Sequence, residues 1–212
     1  MADLQKSLDK LKERIESNMP KEAVAVMHQA TKELQESGIS NEILKTGSKA
    51  PEFSLQNQNG DAIKSADLLK SGPLIITFYR GVWCPYCNKD LSYLNKFTKT
   101  FEEKGATTIS ISPQLPEFNK QIVEQQHLSY DLLSDFQNNV AASFGLKWTM
   151  KDPLKSLYNS FGINLSKYNG DKSWTLPIPA RFIINQDGKI VYSEFSIDYT
   201  QRPNPDVLLE YL

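Results

Sequence analysis

The run Leu74-Ile75-Ile76-Thr77-Phe78-Tyr79, followed after a short turn by Trp83-Cys84-Pro85-Tyr86-Cys87, constrains this chain more than any other feature. A continuous apolar run bounded by turn residues reads as a buried central strand. The C-x-x-C then opens a helix. Pro85 fits its first turn, because the N–H that proline lacks would be unpaired there anyway. Leu91, Leu94 and Phe101 keep one face apolar until Gly105. Residues 107–112 read as a second buried strand and residues 116–126 as a second helix. Strand, helix, strand, helix in that order implies right-handed crossovers and a parallel pair at the sheet centre.

Around this unit the pattern is more varied. Residues 53–55 and 62–63 flank Asn57-Gln58-Asn59-Gly60, and residues 180–184 and 189–192 flank Asn185-Gln186-Asp187-Gly188; both read as hairpins. Residues 131–171, with a short strand at Leu132-Leu133 and helices near 139–144 and 153–161, read as an insertion between two halves of the fold. Residues 206–211 read as a last helix. Ahead of all this, Leu4, Leu8, Leu11 and Ile15 recur at helical spacing. A second helical run through Ala23, Met27, Ala30 and Leu34 opens at Pro20 and ends at Gly38. We divide the chain into a helical extension, residues 1–45, and an α/β domain, residues 46–212. The extension reads as a dimerisation arm, a lid, or a hairpin packed on the domain to bury its own stripe, the last being the commonest fate of such a stripe. A homodimer is one reading of the arm.

The chemistry points to Cys84 and Cys87. At the start of a helix, unpaired backbone N–H groups and the helix dipole favour a thiolate on Cys84. Cys87, one turn further in, is placed to attack the oxidised sulfur. Trp83 covers one side of the pair. A zinc site would need two further ligands, and His28 and His127 stand apart from each other and from any other cysteine. No metal or cofactor is expected. Pro179, before the strand 180–184, suits a cis X-Pro bond at a strand entrance, from which a turn could approach the sulfurs.

Composition narrows the partners. The 212 residues carry a formal net charge of -1, so no global field attracts nucleic acid or anionic lipid. No apolar run reaches membrane-spanning length, and the N-terminus lacks the apolar core of a secretory signal. Two cysteines are too few for a disulfide framework. A cytoplasmic enzyme is the expectation, with no nucleic-acid or membrane partner.

These residues resemble the thioredoxin-fold superfamily, and residues 47–212 are similar to the peroxiredoxin-like branch of the alkyl hydroperoxide reductase C and thiol-specific antioxidant family. The resemblance is carried by Ala50-Pro51-Glu52-Phe53-Ser54-Leu55, by Phe78-Tyr79-Arg80-Gly81 with Trp83-Cys84-Pro85-Tyr86-Cys87, and by residues 182–190. Asn169-Gly170-Asp171 with Trp174, and Asp198-Tyr199-Thr200 with Arg202, resemble markers of that branch. It implies a thioredoxin-like fold, a central mixed sheet flanked by helices. It also implies a cysteine that attacks a peroxide or a disulfide, and a thiol reductant that is a thioredoxin-like protein or, from the Pro85-Tyr86 pair similar to glutaredoxins, glutathione. Protein disulfide exchange and redox sensing are the alternatives to peroxide reduction. Trp83, Pro85, Tyr86, Pro179 and Arg80 form the expected shell of the site. The chain departs from the family where Thr77 and Gly81 replace a proline and a threonine. Pro179 stands where the family places its peroxide-binding arginine, which leaves Arg80, Arg181 and Arg202 as candidates for that role.

Overall fold

The computed structural model describes residues 3–212. Asp3 caps the first helix, α1 (Leu4–Ser17), accepting the N–H groups of Gln5 and Lys6. Pro20 is the N-cap of α2 (Lys21–Glu36), one position earlier than the first-turn place its sequence suggests. Leu4, Leu8 and Leu11 are buried beside the core helix that carries the cysteines, and Ala23 and Met27 are buried on the inner face of α2.

A hairpin, β1 (Ser54–Asn57) and β2 (Ala62–Lys64), comes next, its turn held by the Asn57 side chain accepting the Asn59 and Asp61 N–H groups. A short α3 (Ser65–Ser71) leads to β3 (Leu74–Phe78), buried at every position. The expected helix up to Gly105 is two helices, α4 (Pro85–Leu94) and α5 (Thr98–Glu103). The break has a tertiary cause: Asn95 turns its side chain to accept the N–H of Ser129 and donate to the His127 carbonyl, tying the end of α4 to a turn more than 30 residues on. Then follow β4 (Thr107–Ser112), α6 (Pro116–Gln126) and β5 (Asp131–Ser134).

β3, β4 and β5 are parallel neighbours, and the sheet order is β2-β1-β5-β4-β3-β8-β9 with antiparallel pairing at both flanks. β5 therefore belongs to the main sheet, and the excursion read from residue 131 begins only after it. That excursion holds α7 (Asn139–Ser143), β6 (Lys147–Thr149), α8 (Asp152–Ser160), α9 (Leu165–Asn169) and β7 (Thr175–Pro177), with β6 and β7 forming a separate two-stranded sheet. The hairpin of β8 (Ala180–Ile184) and β9 (Ile190–Phe195) completes the main sheet, and Pro205–Tyr211 is a 3-10 helix. The result is a mixed sheet with helices on its faces. No described helix is long and apolar enough to cross a membrane.

Candidate active site

The strand β3 delivers the chain into the site. Its last ladder bond is the Tyr79 N–H to Ile111, after which Gly81 adopts φ +147. A side chain there would meet Trp83 Nε1 at 2.6 Å, so the turn needs glycine. Gln114, fully buried, accepts the Val82 N–H at 2.8 Å and donates to the Tyr79 hydroxyl and to Asn119. The Asn88 amide donates to the Val82 carbonyl at 2.7 Å, fastening the same turn from the helix side.

Cys84 is the N-cap of α4. Its sulfur accepts the Cys87 N–H at 3.4 Å, with Pro85 in the first turn. The two sulfurs stand 2.7 Å apart as free thiols, Cys84 1% and Cys87 0% exposed. Burial raises the Cys84 thiol, and its hydrogen bond to Cys87 and the negative charge there raise it further. Burial also opposes ionisation of Cys87. The hydrogen bond from Cys84 and the Arg202 and Arg80 guanidiniums outweigh that, and Cys87 is lowered to about 6. The lowered thiol is thus Cys87, whereas helix position alone predicts Cys84. The hydrogen bond from Cys84 acts first, and next comes Arg202, whose Nη2 lies 3.4 Å from Cys87 Sγ, a partner the local sequence does not reveal.

Two arginines, Arg80 and Arg202, face the pair and a third, Arg181, is joined to Arg202 through Asp90; each is 7% exposed or less. Arg80 is enclosed by rings: its guanidinium carbon lies 4.1 Å from the centroid of Tyr199, 4.9 Å from Trp83 and 5.7 Å from Tyr158, and it donates to the Tyr158 hydroxyl. Its Nε has no partner among the described residues. Arg181 spans the floor, from Thr77 Oγ1 at 3.0 Å to Asp90 Oδ1 at 2.8 Å. Arg202 faces the other carboxylate oxygen of Asp90 at 3.3 Å and donates to the Tyr199 and Gln201 carbonyls. Asp90, 0% exposed, is the one carboxylate paired with these guanidiniums among the described residues.

Of the expected shell, Trp83, Pro85, Tyr86 and Arg80 gather around the sulfurs, Tyr86 packing edge-on to Tyr199. Pro179 lines two small cavities, one beside Arg80 and one beside Asp90, but no peptide bond among the described residues is cis. The expected cis turn is absent: Pro179 enters β8 in the trans form and accepts the Ser196 N–H. Asp90, Tyr158 and Gln114 were missed in the sequence. Asp90 left one signal, a carboxylate three residues after Cys87 on the face that also carries Leu91 and Leu94.

With this geometry in view, the chain can be set beside known proteins. The AhpC/TSA family profile matches residues 46–193. A putative peroxiredoxin of Mycobacterium tuberculosis strain H37Rv is 30% identical over 158 residues, covering 73% of this chain and 90% of that one. Peroxiredoxin Bcp of Escherichia coli K12 is 27% identical over 169 residues, covering 80% and 96%. The crystal structure of peroxidoxin BcpB from M. tuberculosis superposes with a TM-score of 0.62 at 25% identity, covering 80% of this chain and 99% of that one.

Proposed function

This chain belongs to the AhpC/TSA family, and from that premise we propose that Cys84 and Cys87 carry out a two-cysteine cycle of thiol-dependent hydroperoxide reduction. It is a thiol-dependent peroxidase, an oxidoreductase with a peroxide substrate and a thiol reductant. The observation that carries the assignment to these residues is a pair of free sulfurs 2.7 Å apart at the start of α4, under the guanidiniums of Arg80 and Arg202.

In our reading Cys84, passing its proton to Cys87, attacks the terminal peroxide oxygen. The O–O bond breaks, the alkoxide or hydroxide takes up a proton, and Cys84 becomes a sulfenic acid. Cys87 then attacks the Cys84 sulfur and expels the hydroxyl as water, closing the disulfide. Two electrons leave the dithiol and two reach the peroxide. Arg80 suits the donor role toward the peroxide, since its Nε is buried without a partner. Arg202 suits stabilisation of Cys87. Two exchange steps return the dithiol: one external thiol forms a mixed disulfide, and a second thiol, from another glutathione or the same thioredoxin-like protein, releases it and leaves as the external disulfide. A dithiol meant to be kept reduced between turnovers fits the cytoplasm.

Steady-state assay decides it. Sub-stoichiometric protein with a thiol reductant should consume many equivalents of hydroperoxide. Consumption of a single equivalent, or insulin reduction without peroxide consumption, would overturn the peroxidase reading in favour of sensing or disulfide exchange.

A further inference from the structure

We propose that the α1–α2 hairpin is a working part of this catalytic centre: its first turn positions Arg202 against Cys87 in the dithiol form, and the hairpin lifts when the disulfide forms. The inference rests on the dithiol–disulfide cycle above, but not on peroxide being the oxidant.

The first ground is access. A reducing thiolate must approach the disulfide in line with the bond it breaks. Yet Cys84 and Cys87 are 1% and 0% exposed, and both sit in one cluster with Leu4, Leu8 and Leu11 of α1. Met27, Ala30 and Leu34 of α2 line one side of a cavity of about 20 Å³ that also borders Arg80 and Tyr199. Reduction therefore needs a part of this cover to move.

The second ground is what fastens the cover. The Leu4 N–H donates to Asn204 Oδ1 at 2.9 Å, and Gln5 Oε1 accepts the Arg202 N–H at 2.9 Å. Lys12 pairs with Asp198 at 3.7 Å, and the Tyr199 hydroxyl reaches the Met27 sulfur at 3.6 Å. Every one of these anchors falls on residues 198–204, the segment that carries the Arg202 guanidinium to Cys87. α1 and Arg202 are thus coupled directly through residues 198–204, while α2 is held in addition by Glu33, which pairs with Lys151 of α8 at 2.7 Å, and by Met27 packed on Leu154 and Tyr158. The hairpin and Arg202 also lie outside the residues matched by the family profile.

The third ground is charge. Arg181 and Arg202 are buried against Asp90, and Arg80 is buried among rings with no carboxylate partner among the described residues, so a thiolate on Cys87 adds a negative charge 3.4 Å from Arg202. A disulfide carries none. Oxidation removes the charge beside Arg202 and leaves it sharing Asp90 with Arg181, with Glu194 at the edge of the same cavity, and an unbalanced buried guanidinium costs far more there than in water. Arg202 is held by a loop rather than a strand and, among the described residues, is the arginine whose guanidinium donates to a cysteine sulfur. Its movement to solvent removes the excess charge, and as the backbone of residue 202 follows, the N–H bond to Gln5 Oε1 is lost.

Hydrogen exchange on the full chain tests this. The protein is compared in dithiothreitol and after diamide, which takes two electrons from the dithiol, with disulfide formation verified by mass. We expect amides of α1, α2 and residues 198–204 to exchange at least tenfold faster in the oxidised protein, with β3 and β4 unchanged. Gln5→Leu, which leaves Arg202 and both cysteines in place, should give the fast exchange in α1 already in the reduced state. Unchanged protection of α1 and α2 in fully oxidised protein overturns the proposal, as does acceleration spread equally through β3 and β4. Because diamide makes the disulfide without peroxide, opening on diamide in a protein that fails to turn over peroxide would sink the peroxidase reading alone.

Discussion

The guanidinium of Arg202 lies 3.4 Å from the sulfur of Cys87, joining the C-terminal segment to the first helix of the site across 115 residues of chain. Both groups are buried, so the attraction between them is weakly screened. Replacing Arg202 with Met removes a positive charge that favours the thiolate, and the Cys87 thiol must rise. The pH profile of iodoacetamide alkylation of the reduced protein should shift its midpoint upward from about 6 by roughly one unit or more. An unmoved midpoint would assign the lowered thiol to the other groups around it.

The two cysteines should part company on mutation. Cys84→Ser is expected to abolish peroxide consumption. Cys87→Ser leaves the attacking sulfur but removes the group that closes the disulfide, so one equivalent of peroxide should leave a sulfenic acid on Cys84 that dimedone captures. Peptide mass spectrometry checks both. A dimedone adduct on Cys87 in the Cys84→Ser protein, with retained peroxide consumption, would exchange the two roles.

Linkage gives a prediction with a definite sign. Cys87 titrates near 6 in the folded protein against an ordinary thiol near 9, so its ionisation contributes stability at high pH that is lost as pH falls through 6. Cys84 moves the other way and offsets part of this once the pH passes the ordinary thiol value. Between pH 6 and pH 8 the reduced wild type should therefore gain on Cys87→Ser, by at most about 1.4 kcal/mol per pH unit. Urea unfolding across that range measures it. A margin independent of pH would mean that no thiolate is held in the folded state.

Where the sequence was informative, local physics decided the outcome. The strand at residues 107–112, the helix at 116–126 and the placement of Cys84 at a helix start all follow from apolar runs and the turn chemistry beside them. What escaped depends on partners distant in the chain. Asp90 meets Arg181 and Arg202, and Asn95 breaks the helix because Ser129 is there to donate to it. β6 and β7 are three residues each, too short for any period to show. The isomer of the bond before Pro179 is set by tertiary context, which an Ile-Pro pair does not encode. The direction of the thiol titration depends on partners of the same kind: the helix start favours Cys84, and the arginines beside Cys87, distant in the chain, favour Cys87.

Gly81 offers a test of how tightly the turn before Cys84 is built. At φ +147 an L-residue is strained, and a Cβ would lie 2.6 Å from Trp83 Nε1 and 3.1 Å from Gln114 Oε1. Relief requires Trp83 to leave its place beside Arg80 and Tyr158, and it disturbs the Gln114 bond that holds the Val82 N–H. Gly81→Ala should cost about 1–3 kcal/mol in urea unfolding. Peroxide turnover should fall at least tenfold under conditions where the variant is still folded, since a shift of about 1 Å in a reacting group is enough for a hundredfold loss. Gly60→Ala is the control, because its φ of +89 carries backbone strain while nothing lies within 4 Å of the added carbon. It should lose stability and keep its turnover. Equal losses of turnover in both variants would show that backbone strain alone, and not the crowding of Trp83 and Gln114, is what the active-site turn cannot tolerate.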